Sequence, residues 1–241
     1  MRRRVNKKNM ILLTLPVYNE EGILEINVKK IHNFMETNIT AEDWKIVIVN
    51  NASTDKTPRI VHHLSQKLDK IEAVNLKEKG RGRALRYVWT NFNADIYAYC
   101  DIDLATDINH LPDLFNAIKA GNNLAVGSRY LTTSKIRRNL QRFLISKSCI
   151  FFIKLLNKSR ITDFQCGFKA LDKKTAQLVV SKTTDNGWFF DTELILMADR
   201  AGLTIKEIGV NWKENTDSSV NFIHDTVIFL KNLIKFKISQ K

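Results

Sequence analysis

Short apolar runs alternate with helical segments through the first half of the chain, and this alternation restricts the fold more than any other feature. Residues 10–17, an apolar run bounded by Pro16, read as a buried strand. Residues 20–37 follow with Ile23, Ile26, Ile31 and Phe34 at helical spacing. Residues 44–50 (WKIVIVN), 71–76 and 95–100 (DIYAYC) read as further strands, and 124–126 as a short one. Residues 57–68, 83–92 and 110–120 read as the helices between them. Such an order predicts a mainly parallel, Rossmann-like sheet with helices on both faces. Ligands of such sheets sit beyond the carboxyl ends of the strands. The segments expected there, 16–20, 50–55 and 101–103, are all polar or acidic.

A chain of 241 residues is long enough for one α/β domain with a full core. Nine glycines and three prolines leave no long flexible linker. The three cysteines, Cys100, Cys149 and Cys166, form no ligand cluster and read as free thiols in a reducing compartment. The basic start MRRRVNKK leads into an apolar run too short for a signal peptide with a cleavage site. No run of 18 apolar residues predicts a spanning helix.

The formal net charge of +13 calls for an anionic partner: nucleic acid, an anionic membrane or a phosphorylated substrate. Residues 135–160 hold eight cations, among them Lys135, Arg137, Arg138, Arg142 and Lys147, and no acid. They also hold the apolar stretches 143–145 and 149–153. That combination fits an amphipathic segment on an anionic lipid surface. It fits nucleic acid less well, because its bulky residues are mostly aliphatic and few can stack on bases. Residues 222–238 place Ile223, Val227, Leu230 and Ile234 on one helical face, with Lys231, Lys235 and Lys237 elsewhere.

Asp101 and Asp103 stand two apart at a strand end, and residues two apart on an extended chain point the same way. Two such carboxylates suit Mg²⁺ or Mn²⁺, which bind one or two carboxylates together with water and phosphate oxygens. Lys79-Gly80-Arg81-Gly82-Arg83 opens a helix and reads either as a phosphate loop or as a solvated basic turn. It lacks the P-loop spacing. Asn50 to Asp55 read as a turn capping the next helix, with a strand-end amide also able to bond a nucleobase edge. Arg129, Arg142 and Lys147 read as phosphate ligands or as a solvated basic face. Asp191 and Glu193 read as a helix cap or as site carboxylates. No histidine pair has ligand spacing, and no serine nucleophile elbow is present.

Seven segments in order resemble family 2 glycosyltransferases of the GT-A fold. They are LPVYNEE (15–21), VNNASTDKT (49–57), KGRGRALR (79–86), DIDLATD (101–107), VGSRY (126–130), TDFQCGFKA (162–170) and GWFFDTELILMADRAG (187–202). The branch most similar is that of polyprenyl- and dolichyl-phosphate sugar transferases, the β-glucosyltransferases more than the mannose synthases. The resemblance implies a GT-A domain over 1–221 carrying the basic surface segment, and a separate amphipathic helix over 222–241. It implies that Pro16, Tyr18, Glu20 and Asn51 hold the nucleoside, with Lys79 on the donor side. Asp101 and Asp103 match metal and diphosphate ligands. Arg129, Arg142 and Ser146 match contacts of the lipid phosphate, and Gln165 and Lys169 match the acceptor side. Asp191 matches an acidic position near the reacting sugar, which makes Asp103, Asp191 and Arg129 the expected catalytic set. The family usually has Asp-Asp where this chain has Asn50-Asn51, and mannose synthases often have Gln where this chain has Ala105.

The expected activity is metal-dependent, inverting transfer of a hexose from a nucleotide sugar, UDP-glucose before GDP-mannose, to a polyprenyl or dolichyl phosphate. The expected place is the cytoplasmic face of a membrane, held peripherally, with no nucleic-acid partner. A soluble saccharide or protein acceptor is the alternative within the class. A non-catalytic nucleic-acid or membrane-binding module is the alternative outside it.

Overall fold

The structure, a computed structural model, describes residues 9–137, 139–214 and 222–239, without the side chains of 140–142 and 222–225. The basic start, the expected boundary at 221/222 and the side chain of Arg142 lie outside that description. The first half runs β1 (Met10–Val17), α1 (Leu24–Asn38), β2 (Asp43–Asn51), α2 (Thr57–Lys67), β3 (Ile71–Leu76), α3 (Arg81–Asn91), β4 (Ile96–Cys100), α4 (Leu111–Lys119) and β5 (Leu124–Ser128). The second half runs β6 (Lys135–Arg137), α5 (Leu140–Asn157), β7 (Phe168–Asp172), α6 (Lys173–Leu178), α7 (Phe190–Arg200), β8 (Ile205–Gly209), β9 (Asn211–Lys213) and α8 (Phe222–Ser239).

Seven strands form one sheet in the order β3-β2-β1-β4-β7-β5-β8. All neighbours are parallel except β7, which runs antiparallel between β4 and β5. β6 and β9 pair separately, in parallel. Both faces of the large sheet are buried, so its central strands read as apolar runs rather than alternations. Leu12, Val47, Val49, Tyr97 and Tyr99 enter the core shared with α3 and α7. Ile11, Leu13, Ile46, Ile48 and Ala98 enter the core on the opposite face, with α1, α2 and α4. Buried Thr14 is compatible with the first core because the Trp89 indole donates to its hydroxyl at 3.0 Å.

Two helical stripes differ from their sequence reading. In α1 the buried face is Leu24, Val28, Ile31 and Met35, and Ile26 points to solvent at 71% exposure. The helix begins only at Leu24, so Ile23 precedes it and is also exposed. In α8 the buried face is Phe229, Leu233 and Phe236, seated on the sheet body through Phe189. Val227 and Ile234, expected to share one packed stripe, are exposed together with Ile228 and Ile238. α8 packs against α5, which exposes Leu144, Phe151, Phe152 and Leu155. The two helices therefore carry large apolar side chains outward, beyond what their own packing uses. Among the described residues no helix is long and apolar enough to cross a membrane.

The corrected face of α1 has a direct check in urea unfolding. Ile31→Ala should cost about 2–5 kcal/mol as a buried truncation, and Ile26→Ala about 0.5 kcal/mol or less.

Candidate active site

Parallel pairing of β1 with β2 and β4 brings their carboxyl ends to one edge. The loops after β1 and β2 are stitched together there. The Asn19 N–H donates to Ser53 Oγ at 3.0 Å, and Thr54 N–H donates to Asn19 Oδ1 at 2.8 Å. The Glu20 N–H donates to Thr57 Oγ1 at 2.8 Å. Asn19, Ala52 and Leu104 all have positive φ, one in each of the three strand-end loops. Non-glycine residues in that region cost about 1–3 kcal/mol, so the strain is concentrated at the edge where the carboxylates gather.

Asp101 and Asp103 stand at that edge behind β4, as their spacing predicts. Glu20 faces them from the loop after β1. Its partial burial, then the charges of Asp103, Asp101 and Asp55, push its carboxyl up to about 7. Burial pushes Asp101 up to about 6, with Arg81 opposing and Asp103 adding. Crowded carboxylates of this kind are relieved by a cation, and an all-oxygen donor set fits a hard one. Among the described residues no third acidic, His or Cys side chain completes a cage. Asp101 and Asp103 would thus hold Mg²⁺ or Mn²⁺ with ligands from water or substrate. Gly167 makes room for this arrangement. A Cβ there would lie 1.7 Å from Asp101 Oδ2, and its carbonyl accepts the Asp101 N–H at 3.1 Å.

The glycine-rich turn is split: Lys79 stays exposed, while Gly80, Arg81 and Gly82 are buried. The Gly80 N–H donates to Asn51 Oδ1 at 2.8 Å, so that amide oxygen is engaged by the turn. Cβ atoms at Gly80 and Gly82 would collide with the carbonyls of Asn186 and Asp185, so the glycines serve close packing of α3 on the 185–190 loop. Arg81 is not solvated: it is buried at 8% exposure and points inward. Its Nη2 pairs with Asp101 Oδ1 at 2.9 Å and donates to Tyr99 Oη at 3.2 Å. Its Nε faces Asp191 Oδ2 at 3.5 Å as an ion pair without a hydrogen bond. Trp188 covers the guanidinium, with its ring centroid 4.6 Å away. Burial opposes the Arg81 charge, but Asp101, Tyr99 and Asp191 hold its pKa above the ordinary value.

Asp191, in the first turn of α7, is buried rather than a surface cap. It accepts from Tyr99 Oη and, at 2.8 Å, from Nζ of the fully buried Lys169. Burial and Asp191 hold the Tyr99 hydroxyl protonated. Glu193 accepts from the backbone of Thr184 and Asp185 and so fixes the preceding loop. Lys79 lies 3.5 Å over the Tyr18 ring, which brings those two expected donor residues together beside half-buried Pro16. Arg81, Tyr99 and Gly167 were outside the sequence-derived set. A cation between two glycines at a helix start was a signal for Arg81; Gly167 had none.

A cavity of about 430 Å³ opens between α5, α8 and the 185–190 loop. Arg129, Ser146, Gln165, Trp188 and Asp191 are among its walls. Arg129 is itself engaged. Its Nε and Nη2 donate to Asp163 at 2.7 and 2.9 Å, so the two-pronged edge of its guanidinium is turned to that carboxylate. All three cysteines are free and buried, and burial pushes their thiols up, Cys166 to about 12.

A mainly parallel sheet with acidic residues at the carboxyl edge is the GT-A arrangement of nucleotide-sugar transferases. Glucosyl-3-phosphoglycerate synthase from Mycobacterium tuberculosis, solved with Mn²⁺, UDP-glucose and phosphoglyceric acid, shares the fold. Its TM-score is 0.72 at 17% identity, over 95% of this chain and 80% of that one. The sequence model of glycosyl transferase family 2 matches residues 13–177, and the chain belongs to that family. Glycosyltransferase AglD of Haloferax volcanii is 30% identical over 217 residues, 89% of this chain and 35% of AglD, so the match spans about a third of that protein. Human dolichyl-phosphate beta-glucosyltransferase is 29% identical over 216 residues, 84% of this chain and 67% of that protein. The Saccharomyces cerevisiae protein of the same name is 24% identical over 247 residues, 94% of this chain and 74% of that protein.

Burial opposes the Asp163 carboxylate, yet Arg129 and backbone donors hold its pKa below the ordinary 3.8. A depressed acid pKa adds stability above the unfolded-state value and loses it as pH falls through the folded one. Asp163→Ala should therefore cost about 3–5 kcal/mol near neutral pH by stranding Arg129. In urea melts its deficit against wild type should shrink toward about pH 3.

Proposed function

We propose that this family 2 glycosyltransferase moves glucose from UDP-glucose to a polyprenyl or dolichyl phosphate, with inversion, at the cytoplasmic surface of a membrane. One juxtaposition carries the reading. The acidic edge of Asp101, Asp103 and Glu20 adjoins a cavity whose outer walls, α5 and α8, also turn large apolar side chains to solvent. A donor diphosphate suits the first, and a lipid-linked acceptor suits the second. The names of the relatives point the same way for sugar and acceptor.

Asp101 and Asp103 are assigned to Mg²⁺ or Mn²⁺, which when bound neutralises the diphosphate and eases its departure. Pro16, Tyr18, Glu20, Asn51 and Lys79 are assigned to the nucleoside and its phosphates. Asn51 would use its amide nitrogen, since its oxygen accepts from Gly80. Arg142 and Ser146 are assigned to the acceptor phosphate. Arg129 contributes less charge there than an unpaired arginine would, because Asp163 neutralises it. An acceptor phosphate monoester is largely dianionic at neutral pH, with a second pKa of about 6. Asp191 need not remove a proton from it; placed between Lys169 and Arg81, it fixes the geometry and charge beside the reacting sugar.

Purified protein with Mn²⁺ or Mg²⁺ should transfer labelled glucose from UDP-glucose to a polyprenyl phosphate in detergent or vesicles. Asp103→Asn and excess chelator should each reduce transfer at least about a hundredfold. Full activity in either case would remove the metal assignment, and transfer to a soluble sugar alone would remove the acceptor assignment.

Gly167→Ala should lose most Mn²⁺-dependent UDP-glucose binding in calorimetry and also melt at a lower temperature, because its methyl group takes the place of the Asp101 carboxylate and crowds buried Arg81. Wild-type binding in that variant would separate Asp101 from the donor.

A further inference from the structure

The loop at 183–190 lies between three helices, and one residue ties them together. Asp185 Oδ1 accepts the Gly187 N–H at 2.7 Å and the Phe190 N–H at 3.1 Å, and so caps the start of α7 one residue before Asp191. Its backbone carbonyl accepts from Arg86 Nη1 of α3 at 3.1 Å. Its other carboxylate oxygen, Oδ2, accepts from Asn232 Nδ2 of α8 at 2.9 Å. The same loop backbone is held to α3 by Gly82 N–H donating to Gly187 O at 3.2 Å. It carries Trp188, which lies over Arg81.

Asn232 is otherwise out of place. It stands next to buried Leu233 on a helix whose inner face is aromatic and aliphatic, where an unpaired amide is costly. Its partner is the carboxylate that sets the first turn of α7. Among the described residues α8 also meets this loop through aromatic rings: Phe229 and Phe236 stack edge-on against Phe189. Such contacts tolerate sliding, whereas the amide–carboxylate bond has a direction and a length.

We propose that Asp185 and Asn232 are positioning residues for the acceptor side of the site, latching α8 to the loop that sets Trp188 and Asp191. The inference rests on the reading above that the cavity takes the acceptor phosphate. Its consequence is that the seating of α8 is felt at Asp191 through two hydrogen-bonding residues, and reaches Asp101 on the donor edge only at one remove, through Trp188 and Arg81.

Asn232→Asp sets a second carboxylate against Asp185 and repels it. Asn232→Leu removes the bond without charge and keeps the variant set usable if the first folds poorly. The double variant Asp185→Asn/Asn232→Asp exchanges donor and acceptor and rebuilds the bond, while the amide oxygen introduced at position 185 still accepts from Gly187 and Phe190. In steady-state transfer to polyprenyl phosphate, Asn232→Asp should raise the acceptor KM about tenfold or more. UDP-glucose affinity should stay within about twofold of wild type, and the double variant should recover to within about threefold of it. Amide hydrogen exchange at Gly187 and Phe190 should quicken in both single variants and slow again in the double one. Wild-type acceptor KM with unchanged exchange in Asn232→Asp and Asn232→Leu would overturn the proposal. If the wild-type protein transfers nothing to polyprenyl phosphate, the functional reading fails, and the exchange rates alone then uphold or overturn the latch.

Discussion

The site depends on one buried ion network. Arg81 and Lys169 approach Asp191 from two sides, and Arg81 reaches on to Asp101. The Arg81, Lys169 and Asp191 charges are tolerable in the core only because they face one another, since a lone buried charge costs several kcal/mol, while Asp101 meets them from the open side. The four residues come from the start of α3, the residue after β4, the second residue of β7 and the start of α7. Sheet pairing and apolar packing place these elements, and each brings a charged group to the same few ångströms. Trp188 and Tyr99 close the network from above and within, and restrict the water that would otherwise screen it.

This network also explains why the acidic edge and the cavity adjoin. Asp101 belongs to the row of strand ends, and Asp191 belongs to the cavity wall. Arg81 spans the two. A glycosyltransferase must bring an electrophilic sugar carbon and its acceptor into line, and much of its rate comes from that placement. A set of ion-paired side chains between the edge and the cavity is one physical way to hold both at a set separation.

Much of the first half could be read from the sequence, for a simple reason. The central strands of the first half, β1, β2 and β4, lie in a sheet covered on both faces, so they are largely apolar and their ends are marked by polar loops. The strand-end rule then singled out Asp101 and Asp103 before any coordinates. β7 escaped that reading because its second residue is Lys169, a cation that looks solvated until Asp191, 22 residues further on, folds onto it. Arg81 escaped for the same reason, its partners lying 20 and 110 positions away. β6 and β9 are three residues each and owe their existence to pairing with each other. Helical periodicity misplaced the inner faces of α1 and α8 because both helices carry apolar residues on more than one face. Local pattern reports burial, but it does not report which buried charges find one another.

The antiparallel strand has a consequence for how the chain is made. β5 pairs only with β7 and β8 in the large sheet, and β7 is the strand that joins it to β4. As the polypeptide emerges from the ribosome, β1 to β4 can assemble on their own as a continuous four-stranded sheet with their crossover helices. β5 emerges next and has no edge to join until residues 168–172 have been synthesised and inserted. For the intervening forty or so residues the nascent chain carries an apolar strand and the α5 segment without their final partners. The acidic edge thus takes shape early in synthesis, and the chamber beside it is closed only when the second half of the chain arrives.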